Sequence, residues 1–113
     1  MEPRIAASVL ASGLIRKAEG EGGFAAVLAK GDPTAGSILV ILLEKGRNPR
    51  LFERLLKPGG RYAWEESGSQ HIENTPDVPA LVARRRRFDP DLWVLELDIP
   101  SAERFAAEMN ALD

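Results

Sequence analysis

Apolar residues near the start of the chain recur in helical rhythm. Ile5, Ala6, Val9, Leu10, Gly13 and Leu14 share one stripe of a helix that is entered through Pro3 and runs to about Glu19. The other side carries Ala7, Ser8, Ala11 and Ser12. It reads as a lightly decorated solvent face, although residues this small would also admit a second backbone, from this chain or from a partner subunit. Gly20, Gly22 and Gly23 then end the helix.

The rhythm next changes to that of strands. Phe24 to Lys30 and Ser37 to Lys45 are apolar runs separated by Gly31-Asp-Pro-Thr-Ala-Gly36, and this pattern predicts a β-hairpin with a type I turn at Asp32-Pro33. Ile38 to Leu43 is apolar at every position, as in a central strand covered on both faces. Gly46-Arg-Asn-Pro49 predicts a turn, Leu51 to Leu56 a third strand, Pro58-Gly-Gly60 another turn, and Arg61 to Glu66 a fourth strand with Tyr62 and Trp64 on one face. These four strands would form a meander.

Ser67 to Pro79 is polar and too long for a tight turn. A second helix starts from the Thr75-Pro76-Asp77 cap and carries Val78, Leu81, Val82 and Phe88 through Arg84 to Arg87, until Asp89-Pro90 stops it. Leu92 to Asp98 alternates as a fifth strand, with Leu92, Val94 and Glu96 on one side and Trp93, Leu95 and Leu97 on the other. Pro100-Ser101 opens a third helix with Ala102, Phe105, Ala106, Met109 and Leu112 on its apolar face. The expected fold class is α+β: a single antiparallel sheet of about five strands with three helices, in the order αββββαβα.

Composition narrows this picture. A chain of 113 residues with 44% hydrophobic content suits one domain spanning residues 1–113 with a self-supporting core. The absence of cysteine removes disulfides, thiolate nucleophiles and thiolate-bound metals, and fits a reducing, cytoplasmic setting. Ser8, Ser12 and Gly13 interrupt the N-terminal apolar residues, so they do not read as a signal peptide, and no run approaches the roughly 20 residues of a membrane span. Net charge is −2 but unevenly spread. Residues 47–87 hold nine basic and five acidic side chains, whereas residues 88–113 hold one and seven. Neutralisation of one segment by the other within the fold is the simplest expectation.

Two stretches, Gly22-Gly-Phe-Ala-Ala-Val-Leu-Ala-Lys-Gly-Asp-Pro-Thr-Ala-Gly-Ser-Ile-Leu-Val40 and Arg87-Phe-Asp-Pro-Asp-Leu-Trp-Val-Leu-Glu-Leu97, carry a family resemblance. The chain resembles an uncharacterised proteobacterial family known as domain of unknown function number 1491, over nearly its whole length and more loosely at residues 47–79. The resemblance implies a small bacterial, cytoplasmic protein and brings no activity, cofactor or catalytic residue with it.

Residues with chemical potential are few. His71 is the only histidine and, with Glu73, could offer a metal two ligands, but a catalytic zinc needs about three from the protein, and a solvated loop histidine is the simpler assignment. Glu65 and Glu66 are neighbours on a strand, so they point to opposite faces and form no catalytic pair. Asp89-Pro90-Asp91 resembles half a cation site, yet a helix stop followed by a turn needs the same residues, with Asp89 bonding the chain two residues on. The Gly31 to Gly36 segment lacks the ending of a phosphate loop, and neither a nucleophile elbow nor a zinc-protease motif occurs. The sequence points away from an enzyme, and no cofactor is implied.

Arg84-Arg85-Arg86-Arg87 is the strongest charge feature. Successive helical residues fan out by about 100°, so at most two, such as Arg84 and Arg87, share a face. Arg85, beside Leu81, Val82 and Phe88, should lie near the core side and either pair with a carboxylate or snorkel. Two functions from different classes follow. The first is a non-enzymatic protein-interaction or structural module, homodimeric through helix one or an exposed sheet edge. The alternative is nucleic-acid or anionic-ligand binding through Arg84, Arg86 and Arg87 at the helix end together with Arg54 and Arg61. Trp64 and Trp93 would support the alternative if exposed for stacking, and burial would remove that support.

Overall fold

The computed structural model describes residues 5–67 and 77–111. Within them the elements are α1 (Ala7–Gly20), β1 (Phe24–Ala29), β2 (Ile38–Glu44), β3 (Arg47–Leu56), β4 (Tyr62–Glu66), α2 (Val78–Phe88), β5 (Trp93–Asp98) and α3 (Ala102–Ala111). The expected order αββββαβα is therefore present, and one five-stranded sheet carries it. Two expectations about pairing need correction. The sheet is mixed, with β2 and β5 parallel and every other pair antiparallel, and its order is β1-β5-β2-β3-β4. The predicted β1–β2 hairpin does not form, and the meander comprises β2, β3 and β4 only.

The physical reason lies in β5. Leu92 and Val94 are buried on one face and Trp93, Leu95 and Leu97 on the other, so this strand needs cover on both sides and takes an interior place. It is inserted between β1 and β2, and the segment 31–36 bridges over its start. Asp32 N–H donates to Asp91 O at 3.0 Å, Trp93 Nε1 donates to Asp32 O at 2.7 Å, and Trp93 N–H donates to Ser37 O at 2.8 Å. Gly31 and Gly36 both lie so close to the Asp91 carbonyl that a Cβ on either would collide with it. The two glycines thus serve close passage of two backbones.

β2 is the middle strand and is buried from Ile38 to Leu43, as its continuous apolar run predicts. The turn after it is tighter than expected. Lys45 and Gly46, at φ 52° and 73°, form a two-residue connection between Glu44 and Arg47, so β3 begins at Arg47 rather than Leu51.

One sheet face is covered by α1, over β1 and β5, and by α3, over β2 and β4. This core joins Ala7, Ala11, Leu14 and Ala18 to Val40, Leu42, Phe52, Trp64, Trp93 and Phe105. The predicted stripe of α1 is split: Leu14 is buried and Leu10 packs against the core, but Val9 is 61% exposed and Ile5 is exposed, while Ala7 and Ala11 on the small-residue side are buried. Small side chains let the helix settle closely on the sheet, so the second backbone they admit belongs to this chain. In α3, Ala102, Phe105 and Met109 are buried as expected, and Leu112 lies outside the described residues. Glu44 Oε2 accepts the Ala102 N–H at 2.7 Å and Ser101 Oγ the Arg104 N–H at 3.2 Å, which seats the start of α3.

The other face carries Leu39, Ile41, Leu43, Leu51, Leu92 and Val94 beneath Val78 and Leu81 of α2. Phe88, predicted for this stripe, is 80% exposed at the last helical position. Thr75 and Pro76 of the predicted cap lie outside the described residues. None of the helices among the described residues is long and apolar enough to cross a membrane.

Candidate interaction surface

A sheet offers unpaired N–H and C=O groups along each outer strand, and the two outer strands here are treated differently. β4 is sealed. Its Trp64 N–H donates to Asn110 Oδ1 at 2.8 Å, and Asn110 Nδ2 donates back to Trp64 O at 3.3 Å, so a side chain of α3 takes the place of a neighbouring strand. Charges flank this clamp. Glu66 accepts two bonds from Arg50, each 2.8 Å, and Glu65 pairs with Lys57. The Arg50 guanidinium holds the Glu66 carboxyl below the usual carboxylate range.

Among the described residues, β1 has no such protection. Its sequence, Phe-Ala-Ala-Val-Leu-Ala, contains no charge and no proline. Phe24 is 77% exposed, Val27 47% and Leu28 40%. The register with β5 sets the faces: Phe24 and Ala26 lie opposite Asp98 and Glu96, on the α2 side, and Ala25 and Val27 lie opposite Leu97 and Leu95, on the α1 side. A bulge at Leu28 separates Val27 from Ala29.

Beside this edge, on the α2 face, lies an apolar groove of about 380 Å³ lined by Leu28, Val78, Pro79, Val82, Ala83 and Glu96. Its one charged lining residue is Glu96, at the centre of β5. The sequence pattern points to a sheet edge without distinguishing β1 from β4, and the groove leaves no trace in it. The uncharged, alanine-rich run from Phe24 to Ala29 was the available signal.

The predicted arginine site is divided between the two sheet faces. Arg54 lies on the α1 and α3 side with its guanidinium 4.4 Å from the Tyr62 ring centroid, and Arg61 precedes β4. Arg84, Arg86 and Arg87 belong to α2 on the opposite side, with Arg84 and Arg87 exposed. Arg86 Nη1 sits among three carbonyl oxygens, 2.5 Å from Pro90, 2.9 Å from Leu92 and 3.3 Å from Lys30, and so fastens the end of α2 to the bridge over β5. Arg85 turns inward and forms a two-bond pair with Glu53, at 2.7 and 2.8 Å, the first of the two outcomes expected at its position. That carboxylate raises the guanidinium pKa further.

Trp64 and Trp93 are buried, which withdraws the stacking support for nucleic-acid binding. Asp89 Oδ1 accepts the Asp91 N–H at 3.2 Å, the turn bond expected of it. His71 and Glu73 lie outside the described residues.

Residues 5–107 match the family model described as a protein of unknown function, DUF1491. A crystal structure of a DUF1491 family protein from Caulobacter crescentus is similar, with 32% identity and a TM-score of 0.76 over 90% of this chain and 94% of that one. An NMR structure of a DUF1491 family protein from the same organism gives 31% identity and a TM-score of 0.76, covering 93% and 94%. The solution structure of protein Atu0922 from A. tumefaciens shares 29% identity with a TM-score of 0.73, covering 92% and 93%. No curated protein matches the chain.

Proposed function

The chain belongs to the DUF1491 family, and for it we propose a non-enzymatic protein-interaction module that binds by accepting an extended segment along the open edge of β1. The observation that carries this reading is the contrast between the two outer strands: β4 is closed by Asn110 and charged pairs, whereas β1 presents an uncharged, largely exposed ladder edge. An edge left in this state pairs with another strand, because main-chain hydrogen bonds supply affinity and alternate side chains supply selectivity.

The segment we assign to that edge is β1 of a second copy. Antiparallel self-pairing brings the exposed Glu19, near the end of α1 just before β1, toward the exposed Lys30 that follows the partner's β1, so opposite charges meet at both rims. Self-association through the small-residue side of α1 is disfavoured, since Ala7 and Ala11 are already packed on the sheet.

Sedimentation velocity over a wide concentration range, joined to amide exchange, tests the reading. The expected result is reversible dimerisation that slows exchange in β1 and is abolished by Val27→Lys, a charge placed on the exposed edge. A constant monomer mass with concentration-independent β1 exchange would overturn it.

A further inference from the structure

We infer that Phe24 of each copy seats in the groove of its partner between β1 and α2, so that the dimer is locked by two reciprocal aromatic anchors. The inference rests on the edge pairing proposed above and adds the contact that gives it specificity.

When two identical edge strands pair antiparallel in one continuous sheet, the two-fold axis is perpendicular to that sheet and equivalent faces lie on the same side. Phe24 lies on the α2 side, so the partner's Phe24 also arrives on the α2 side of the first copy. With Ala26 nearest the axis, residues directly opposite share a face: Ala25 meets Val27, and Phe24 meets Leu28. Leu28 is a wall of the groove. A highly exposed aromatic ring is thereby delivered beside an open apolar cleft without rearrangement of either.

Size and chemistry agree. A cavity on the order of 150 Å³ holds a benzene ring, and the groove offers about 380 Å³. Pro79, Val82 and Ala83 supply apolar walls, and the Glu96 carboxylate matches the positive rim of an aromatic ring. Each Phe ring would bury roughly 150–200 Å². Together with six-residue strands this stays below the ~800 Å² per partner of a standard interface, so a weak, concentration-dependent dimer is expected.

The test uses the full chain, whose lack of cysteine makes engineered thiols unambiguous. Phe24→Cys and Ala83→Cys variants are mixed under mild oxidation, and the hetero-crosslinked dimer should exceed both homo-crosslinked species. In sedimentation, Phe24→Ala should weaken association at least about tenfold, as expected from losing a buried aromatic side chain. Its thermal melt at dilute concentration should match the parent, because the ring is exposed in the monomer. A dimer that survives Phe24→Ala at full affinity and gives no hetero-crosslink would overturn the anchor while leaving edge pairing intact. A monomer at all concentrations would overturn both.

Discussion

Asn110 shows how much one side chain can do for a sheet. Its amide presents an acceptor and a donor spaced like those of a peptide, and it takes both main-chain groups of Trp64 on the outer side of β4. Asn110→Ala should destabilise the fold by about 1–2 kcal/mol, since it leaves a half-buried N–H and C=O without partners. Asn110→Asp, which keeps the acceptor and loses the donor, should fall between Ala and the parent in urea denaturation. Arg85 and Arg86 mark the limit of legibility at this scale. Arg85 could be placed from helical rotation and its apolar neighbours alone. Arg86 could not, because the three carbonyls it engages converge only after Lys30, Pro90 and Leu92 are brought together by the fold.

Among the elements, strands and helices were legible from periodicity, and their partners were not. β1 and β2 are separated by a glycine- and proline-containing turn sequence, and local pairing is the default for such neighbours. The stronger demand came from β5, whose two apolar faces required an interior position. In α1 the pattern is only half legible, since Leu10 and Leu14 face the core as expected and the rest of the stripe does not. Apolar size pointed to Ile5 and Val9, whereas close approach to the sheet selected Ala7, Ala11 and Ala18. Two glycine substitutions test this account with opposite signs. Gly31→Ala places a methyl against the Asp91 carbonyl and should cost at least about 2 kcal/mol, lowering Tm by several degrees. Gly13→Ala, in α1 with open space around it, should stabilise by about 0.5–1 kcal/mol.

Across the whole molecule, charge is distributed as specific pairs more than as opposed segments. Arg50 pairs with Glu66 and Arg85 with Glu53 inside the basic stretch, while Lys17 of α1 reaches Glu108 of α3 at 2.6 Å. Hydrogen bonds from Arg50 and Lys17 lower the pKa of Glu66 and Glu108. A carboxylate with a depressed folded value adds stability above its unfolded value, and loses it as pH falls through the folded one. Unfolding free energy should therefore decline below about pH 4.5, the usual glutamate range. Glu66→Gln and Glu108→Gln should each flatten that acid limb in chemical denaturation at stepped pH. Lys17, raised chiefly by its bond to Glu108, gives the mirror case, with stability present below its unfolded value and lost as pH rises through the folded one.

The insertion of β5 between β1 and β2 has a consequence for how the chain folds. β1 is made early, yet the strand that pairs with it, Trp93–Asp98, lies more than sixty residues further along the chain. At the roughly 5–20 residues per second of protein synthesis, the Phe24–Ala29 stretch waits several seconds for its permanent neighbour. During that interval it is apolar, uncharged and bare on both sides. The β2–β4 meander can close meanwhile from local contacts, so pairing of β1 with β5 is expected to be a late, long-range step, one that pulse-labelled amide exchange during refolding would show as late protection of Phe24–Ala29.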